Sequence, residues 1–381
     1  MIRALHPATG AAVEIRLHDA RIESAEPAAR DSTDLYASPG LIDLQVNGFA
    51  GVDYNSPEIS LDDIARSIRA QHATGVTRFL PTVITGSPQR MTGALRNLAR
   101  ARRELPEGAS IAGFHVEGPF ISPDDGPRGA HPRSAVRPPD REEFLRLQDA
   151  AEGAIRLFTL APETPGAAAL IEYIVARGVV ACLGHTNADG AQIRDAVRAG
   201  ATLSTHLGNG AHQVLPRHPN YIWEQLAVDE LAASFIVDGI HLPPSFVKCA
   251  VRAKGLDRSI LVTDASSPAG CAPGRYQLGE VDVELTAGNR VQMVGSDKLA
   301  GSALRMDHGV SNLMEFAEIS LAQALRMATV NPARAARLDD RAGFLAAGDA
   351  ADVVLFRYSP SPPRLSIVET ICNGATIYRA G

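Results

Sequence analysis

A (β/α)₈ barrel carrying a small β-sandwich domain, built from the two chain ends, is the fold that the sequence predicts. Three observations predict it. Eight short apolar segments recur along the chain, helical patterns separate most of them, and the two ends differ from the middle. The segments are 40–47, 77–84, 111–117, 155–161, 179–185, 201–206, 232–238 and 259–264. Their near-continuous runs of apolar and β-branched residues suit strands buried on both faces, as in a parallel sheet. Apolar residues return at helical spacing over 61–73, 88–104, 140–150, 167–177, 189–199 and 244–254. Gly75, Gly178, Gly200 and Gly255 follow four of these stretches, where helices commonly stop. A doubly wound open sheet is the rival, which alternation alone does not exclude.

Residues 1–38 and 342–381 read as short strands broken by Gly and Pro, and are expected to pair into one small β domain. That leaves 39–341 as the barrel. Within it, 274–295 reads as hairpins inserted after the last barrel strand, and helices over 305–317 and 321–328 close the barrel. With 381 residues, 45% of them hydrophobic, the chain can bury one large core and a small attached one.

The 37 basic and 43 acidic residues give a net charge of −6, with no long run of one sign. Nothing here points to nucleic acid, and an anionic substrate needs a local basic patch. Cys182, Cys249, Cys271 and Cys372 are scattered, which reads as free buried thiols in a reducing compartment. The N-terminus shows no apolar signal core, and no run of 18 apolar residues occurs, so a soluble, cytoplasmic protein is expected.

Catalytic groups of such barrels sit at the C-terminal ends of the strands. Five predicted strands end there in a titratable residue, in the runs His115-Val116-Glu117, Gly184-His185-Thr186, Thr205-His206-Leu207, Asp238-Gly239-Ile240-His241 and Thr263-Asp264-Ala265. A lone strand-end histidine is more often a hydrogen-bonded structural group than a ligand. One carboxylate and two imidazoles on one rim form the ligand set of an open catalytic metal site, so Glu117, His185 and His206 are the expected ligands. One divalent ion per subunit follows, zinc by this ligand set, with iron, cobalt or manganese as alternatives. Asp264 is the candidate general base, against a plainer role in capping the segment at Ser266 and Ser267. His131, in the loop RGAHPR, could polarise a scissile carbonyl, and His241 could contact substrate oxygens. His212 and His218 flank Arg217 in GNGAHQVLPRHPN and are weaker candidates for the pocket wall.

In order along the chain, PGLIDLQVNG, HVEGPF, RGAHP, GHTNA, THLGNGA, DGIHL, VTDASSPAG, GSALRM, ALRMATVNPARA and AGDAADVVLF resemble the N-acetylglucosamine-6-phosphate deacetylases of the amidohydrolase superfamily. The resemblance implies one divalent metal on Glu117, His185 and His206, with Asp264 as acid/base and His131 on the acetamide carbonyl. It implies substrate contacts from His241, Asn209 and Gly210, and a homodimer in which Arg217 reaches the neighbouring active site. Gln45-Val46-Asn47 stands where many superfamily members carry H-x-H for a second metal, so one tightly bound ion is expected. The stretch NGAHQVLPRHPN departs from the family's usual pattern where phosphate would be recognised. The expected reaction is therefore removal of acetyl from an amino-sugar phosphate, N-acetyl-D-glucosamine 6-phosphate. The alternatives are hydrolysis of another N-acyl amino sugar or amine, and an inactive barrel scaffold.

Overall fold

The computed structural model describes residues 1–29, 33–338 and 343–381. Eight parallel strands lie side by side in chain order: Leu41–Val46, Val76–Ile84, Phe114–Glu117, Ile155–Leu160, Val180–Leu183, Leu203–Ser204, Ala232–Ile236 and Ser259–Val262. The barrel closes between the first and the last. Val46 bridges Ala265, and the Thr263 amide and hydroxyl both donate to the Asp43 carboxylate. Neighbouring positions on one strand face opposite ways, so Val180 and Cys182 join the inner core while Ala181 and Leu183 pack with the surrounding helices.

Helices Leu61–His72, Pro88–Glu104, Arg141–Ala150, Ala167–Val175, Gly190–Arg198 and Pro244–Lys254 follow the predicted stretches. Several start where a short polar side chain satisfies free amides of the first turn, as Ser60, Ser87 and Asp140 do. Tyr221–Ala227, begun by Asn220, is a helix that the apolar pattern did not announce. Met306–Ala317 and Leu321–Met327 match the closing helices, and Ala333, in a further short helix Val330–Ala335, joins the inner core.

Seven of the eight observed strands are shorter than the apolar runs, and the second, Val76–Ile84, is one residue longer. The ladder of the sixth strand stops at Ser204, because His206 adopts a positive φ of 31° and turns the chain out of the sheet. The insertion after the eighth strand forms an antiparallel sheet of Gly274–Leu278, Val281–Leu285 and Val291–Met293. The chain ends share one seven-stranded sheet, joined where Val353–Pro360 pairs antiparallel with Leu35–Pro39. Its tie to the barrel includes a buried ion pair, Arg78 Nε to Asp352 Oδ2 at 2.7 Å. The expected boundary between 341 and 342 lies outside the described residues. Cys182 and Cys372 are buried as expected, but Cys249 is exposed and Cys271 half-buried. Among the described residues no helix is long and apolar enough to cross a membrane.

Candidate active site

Glu117 is the last residue of the third strand, and His185, His206 and Asp264 each stand two residues beyond the last ladder residue of theirs. All three latter residues have positive φ, 51°, 31° and 50°, a region that non-glycine residues rarely occupy. The strained turn aims each side chain into one cavity of about 820 Å³, which also exposes Asn47, His131, Asn209, Gly210 and His241. At Asp264 the turn is clasped by Ser302 of the GSALRM segment. The Ser302 amide donates to the Asp264 carbonyl at 2.8 Å, and its hydroxyl to the Thr263 carbonyl at 2.6 Å.

The three expected ligands converge. His206 Nε2 lies 2.9 Å from Glu117 Oε1 and 3.1 Å from His185 Nε2, which is 3.4 Å from the same oxygen. They form the one group among the described residues whose ligand atoms could hold a metal ion, all within 4.8 Å of one another. His185 Nδ1 donates to the Pro127 carbonyl at 2.8 Å, which leaves its Nε2 as a bare lone pair facing the other ligands. His131 Nε2 adds another nitrogen 3.2 Å from His185 Nε2. The Glu117 carboxylate and the lone pairs of His185 and His206 around one buried point suit a cation, and two imidazole nitrogens with one carboxylate oxygen suit a divalent transition metal.

The electrostatics agree. Burial pushes the Glu117 carboxyl up, but the charges and hydrogen bonds of His185 and His206 override it and hold it well below the usual range. Burial holds His131 well below an ordinary histidine, with His185 adding to the effect, so the ring is neutral. Burial raises Asp264 to about 6, Glu117 pushing the same way and His206 opposing.

Some residues at the site were not foreseen in these roles. Gln45 Nε2 donates to Glu117 Oε1 at 3.0 Å, and Asn47 Nδ2 donates to Asp264 Oδ1 at 2.6 Å. The amides at the end of the first strand thus orient the two carboxylates. Glu163 accepts from the Thr186 hydroxyl at 2.5 Å and the Asn187 amide at 2.7 Å, fixing the loop after His185. Nothing in its surroundings in the sequence marks it. The plainer reading of Asp264 as a cap fails, since among the described residues its side chain accepts from Asn47 and not from the Ser266–Ser267 amides.

His241 is held by Asp238, with Nδ1 to Oδ2 at 2.7 Å, and presents its other edge to the cavity. His115 points into the barrel instead, bonded to Thr159 and the Leu44 carbonyl. His212 lines the cavity and hydrogen-bonds Tyr221, whereas Arg217 and His218 are exposed and outside its lining. Gly210 (φ +55°) needs its lack of a side chain, because a Cβ there would lie 2.7 Å from His185 Nδ1. Gly210→Ala is expected to displace the His185 ring and break its bond to Pro127, weakening metal binding about tenfold. A competitive metal titration checks this, and unchanged affinity refutes it.

Residues 36–377 match the amidohydrolase family. This chain belongs to the amidohydrolase family. Within that family it falls among the N-acetylglucosamine-6-phosphate deacetylases. It is 35% identical to the one from Bacillus subtilis over 88% of this chain and 83% of that protein. It is 33% identical to an N-acetylgalactosamine-6-phosphate deacetylase from Escherichia coli O157:H7, over 90% of this chain and 89% of the other. A structure of a variant N-acetyl-D-glucosamine-6-phosphate deacetylase from Mycobacterium smegmatis, in complex with N-acetyl-D-glucosamine 6-phosphate, superposes with a TM-score of 0.87 at 30% identity. It covers 96% of this chain and 94% of that one. The barrel of this amidohydrolase therefore carries its metal-site candidates and its acid/base candidate on the rim that the strand ends define.

Proposed function

We propose that this amidohydrolase removes the acetyl group of N-acetyl-D-glucosamine 6-phosphate, giving glucosamine 6-phosphate and acetate. The observation that carries this is the convergence of Glu117, His185 and His206 in the cavity that also exposes Asp264. A divalent cation on those three residues, zinc by its preference for this set, would polarise the acetamide carbonyl and make a water molecule more acidic. Asp264, ionised, accepts a proton from water as its oxygen attacks the acetamide carbon. Asn47 occupies one carboxylate oxygen and so aims the other. His131, neutral, donates from Nε2 to the developing oxyanion. Asp264 then returns the proton to the sugar nitrogen, the C–N bond breaks, and acetate leaves.

Asn209, Gly210 and His241 are proposed to hold the sugar phosphate, with Arg217 of a second subunit reaching in. Val214 is 87% and Trp223 54% exposed on the segment around Arg217, which supports a homodimer through this face. The four free cysteines fit a cytoplasmic location.

The E. coli relative favours a second reading, the galactosamine epimer. Acetate release from the metal-loaded enzyme, compared across both N-acetylhexosamine 6-phosphates, free N-acetylglucosamine and simple N-acyl amines, separates the readings. The highest kcat/KM is expected for N-acetyl-D-glucosamine 6-phosphate, and Arg217→Ala is expected to lower it about tenfold more for phosphorylated than for free sugar. Equal or better turnover of the unphosphorylated compounds would overturn the proposal.

A further inference from the structure

The cavity opens between the 208–214 segment, the loop bearing His131, and the 296–301 segment that follows the inserted sheet. Arg290 and Lys298 are the two basic side chains of the lining, Arg290 from the inserted sheet and Lys298 from the segment that follows it. Arg290 is already engaged, since its guanidinium donates to the Asp297 carbonyl at 2.5 Å and to Gln292 at 3.1 Å. Lys298 forms no ion pair among the described residues, and its half-buried ammonium faces the Arg128 guanidinium and the Asp125 carboxylate. Two carboxylates share the rim, Asp125 and Asp297, but Asp125 is paired with Arg128. The backbone under Lys298 is set. Its carbonyl accepts from the Met293 amide at 2.8 Å, its amide donates to Ser296 Oγ at 3.1 Å, and Gln292 bridges Leu299.

We propose that Lys298 is a specificity residue of the same chain, which takes the phosphate monoester of the substrate from the hairpin side while Arg290 positions the turn that carries it. The net charge of −6 supplies no general attraction for an anion, and the exposed Arg217 lies outside its own cavity. A cation without a partner on a pinned turn is ready for a phosphate, and loses little freedom on binding it. This rests on the reading of the substrate as a phosphorylated sugar.

The test is calorimetric titration of the metal-loaded full chain, carrying Asp264→Asn so that the sugars bind without being hydrolysed, with N-acetyl-D-glucosamine 6-phosphate, N-acetylglucosamine and inorganic phosphate. Lys298→Ala is expected to weaken the sugar phosphate about tenfold more than the unphosphorylated sugar, and Lys298→Arg to restore most of that difference. Equal weakening of both sugars, or no weakening of either, overturns the assignment. If the chain with Lys298 intact binds both sugars alike, the substrate reading fails instead. Inorganic phosphate then decides Lys298 by itself: weaker phosphate binding in Lys298→Ala supports the anion site, and unchanged binding removes it.

Discussion

Replacing Asp264 by asparagine is expected to lower kcat by between about a hundredfold and ten-thousandfold while the protein keeps about one metal ion per chain. The amide has the shape of the carboxyl group, and its oxygen can still accept from Asn47 Nδ2, so the strained turn and its clasp by Ser302 stay in place. What disappears is the ability to take a proton from water and return it to the amine. The pH profile should carry the same signature. Burial lifts Asp264 to about 6, and a divalent cation nearby draws it down again. Only the ionised form accepts a proton, so activity is full above that pKa and is lost as pH falls through it. The acid limb of kcat/KM therefore falls at or below about pH 6 in the wild type, and disappears from the residual activity of Asp264→Asn. Near-normal turnover in the variant, or an acid limb that persists unchanged in its residual activity, would remove Asp264 from the role of base.

The parts of the site legible in the sequence are those that barrel geometry brings together. A parallel strand ends at the catalytic rim whatever its length, so Glu117, His185, His206 and Asp264 could be read from four strand ends up to 147 positions apart in numbering. The ladder ends were less legible. Apolar patterning continues into residues whose left-handed backbone has already left the sheet, as at His185 and His206. Gln45 and Asn47 were read as an absent second metal site, since nothing in an amide's own neighbourhood tells which carboxylate it will meet. Their bonds span 72 and 217 positions. Lys298 was missed for a related reason. It sits beyond the inserted sheet, in a segment that marks itself only as a turn, and the fold alone brings it to the cavity. The helix at Tyr221–Ala227 was obscured because seven residues give too little helical period, although Asn220 is a ready N-cap.

Glu117→Gln is expected to weaken metal binding by about a hundredfold or more and to leave under about 1% of the activity. The argument starts from burial. Glu117 is only 2% exposed, and a carboxylate so enclosed stays ionised because His185 and His206 face it. An amide of equal size keeps the volume and can still meet Gln45, but it offers one weak neutral oxygen where a charged ligand stood. The two imidazoles then face each other at 3.1 Å with no anion beside them to balance the charge of a divalent ion. The variant should fold, because the change adds no bulk and breaks no strand pairing. A thermal scan gives the independent readout. Metal raises the Tm of the wild type by binding only the folded state, and the same concentration should raise the Tm of the variant little or not at all. A variant that binds one equivalent as tightly as the wild type and gains the same Tm increment would show that the ion sits elsewhere, and Glu117 would be a buried structural acid like Asp43 on the barrel seam.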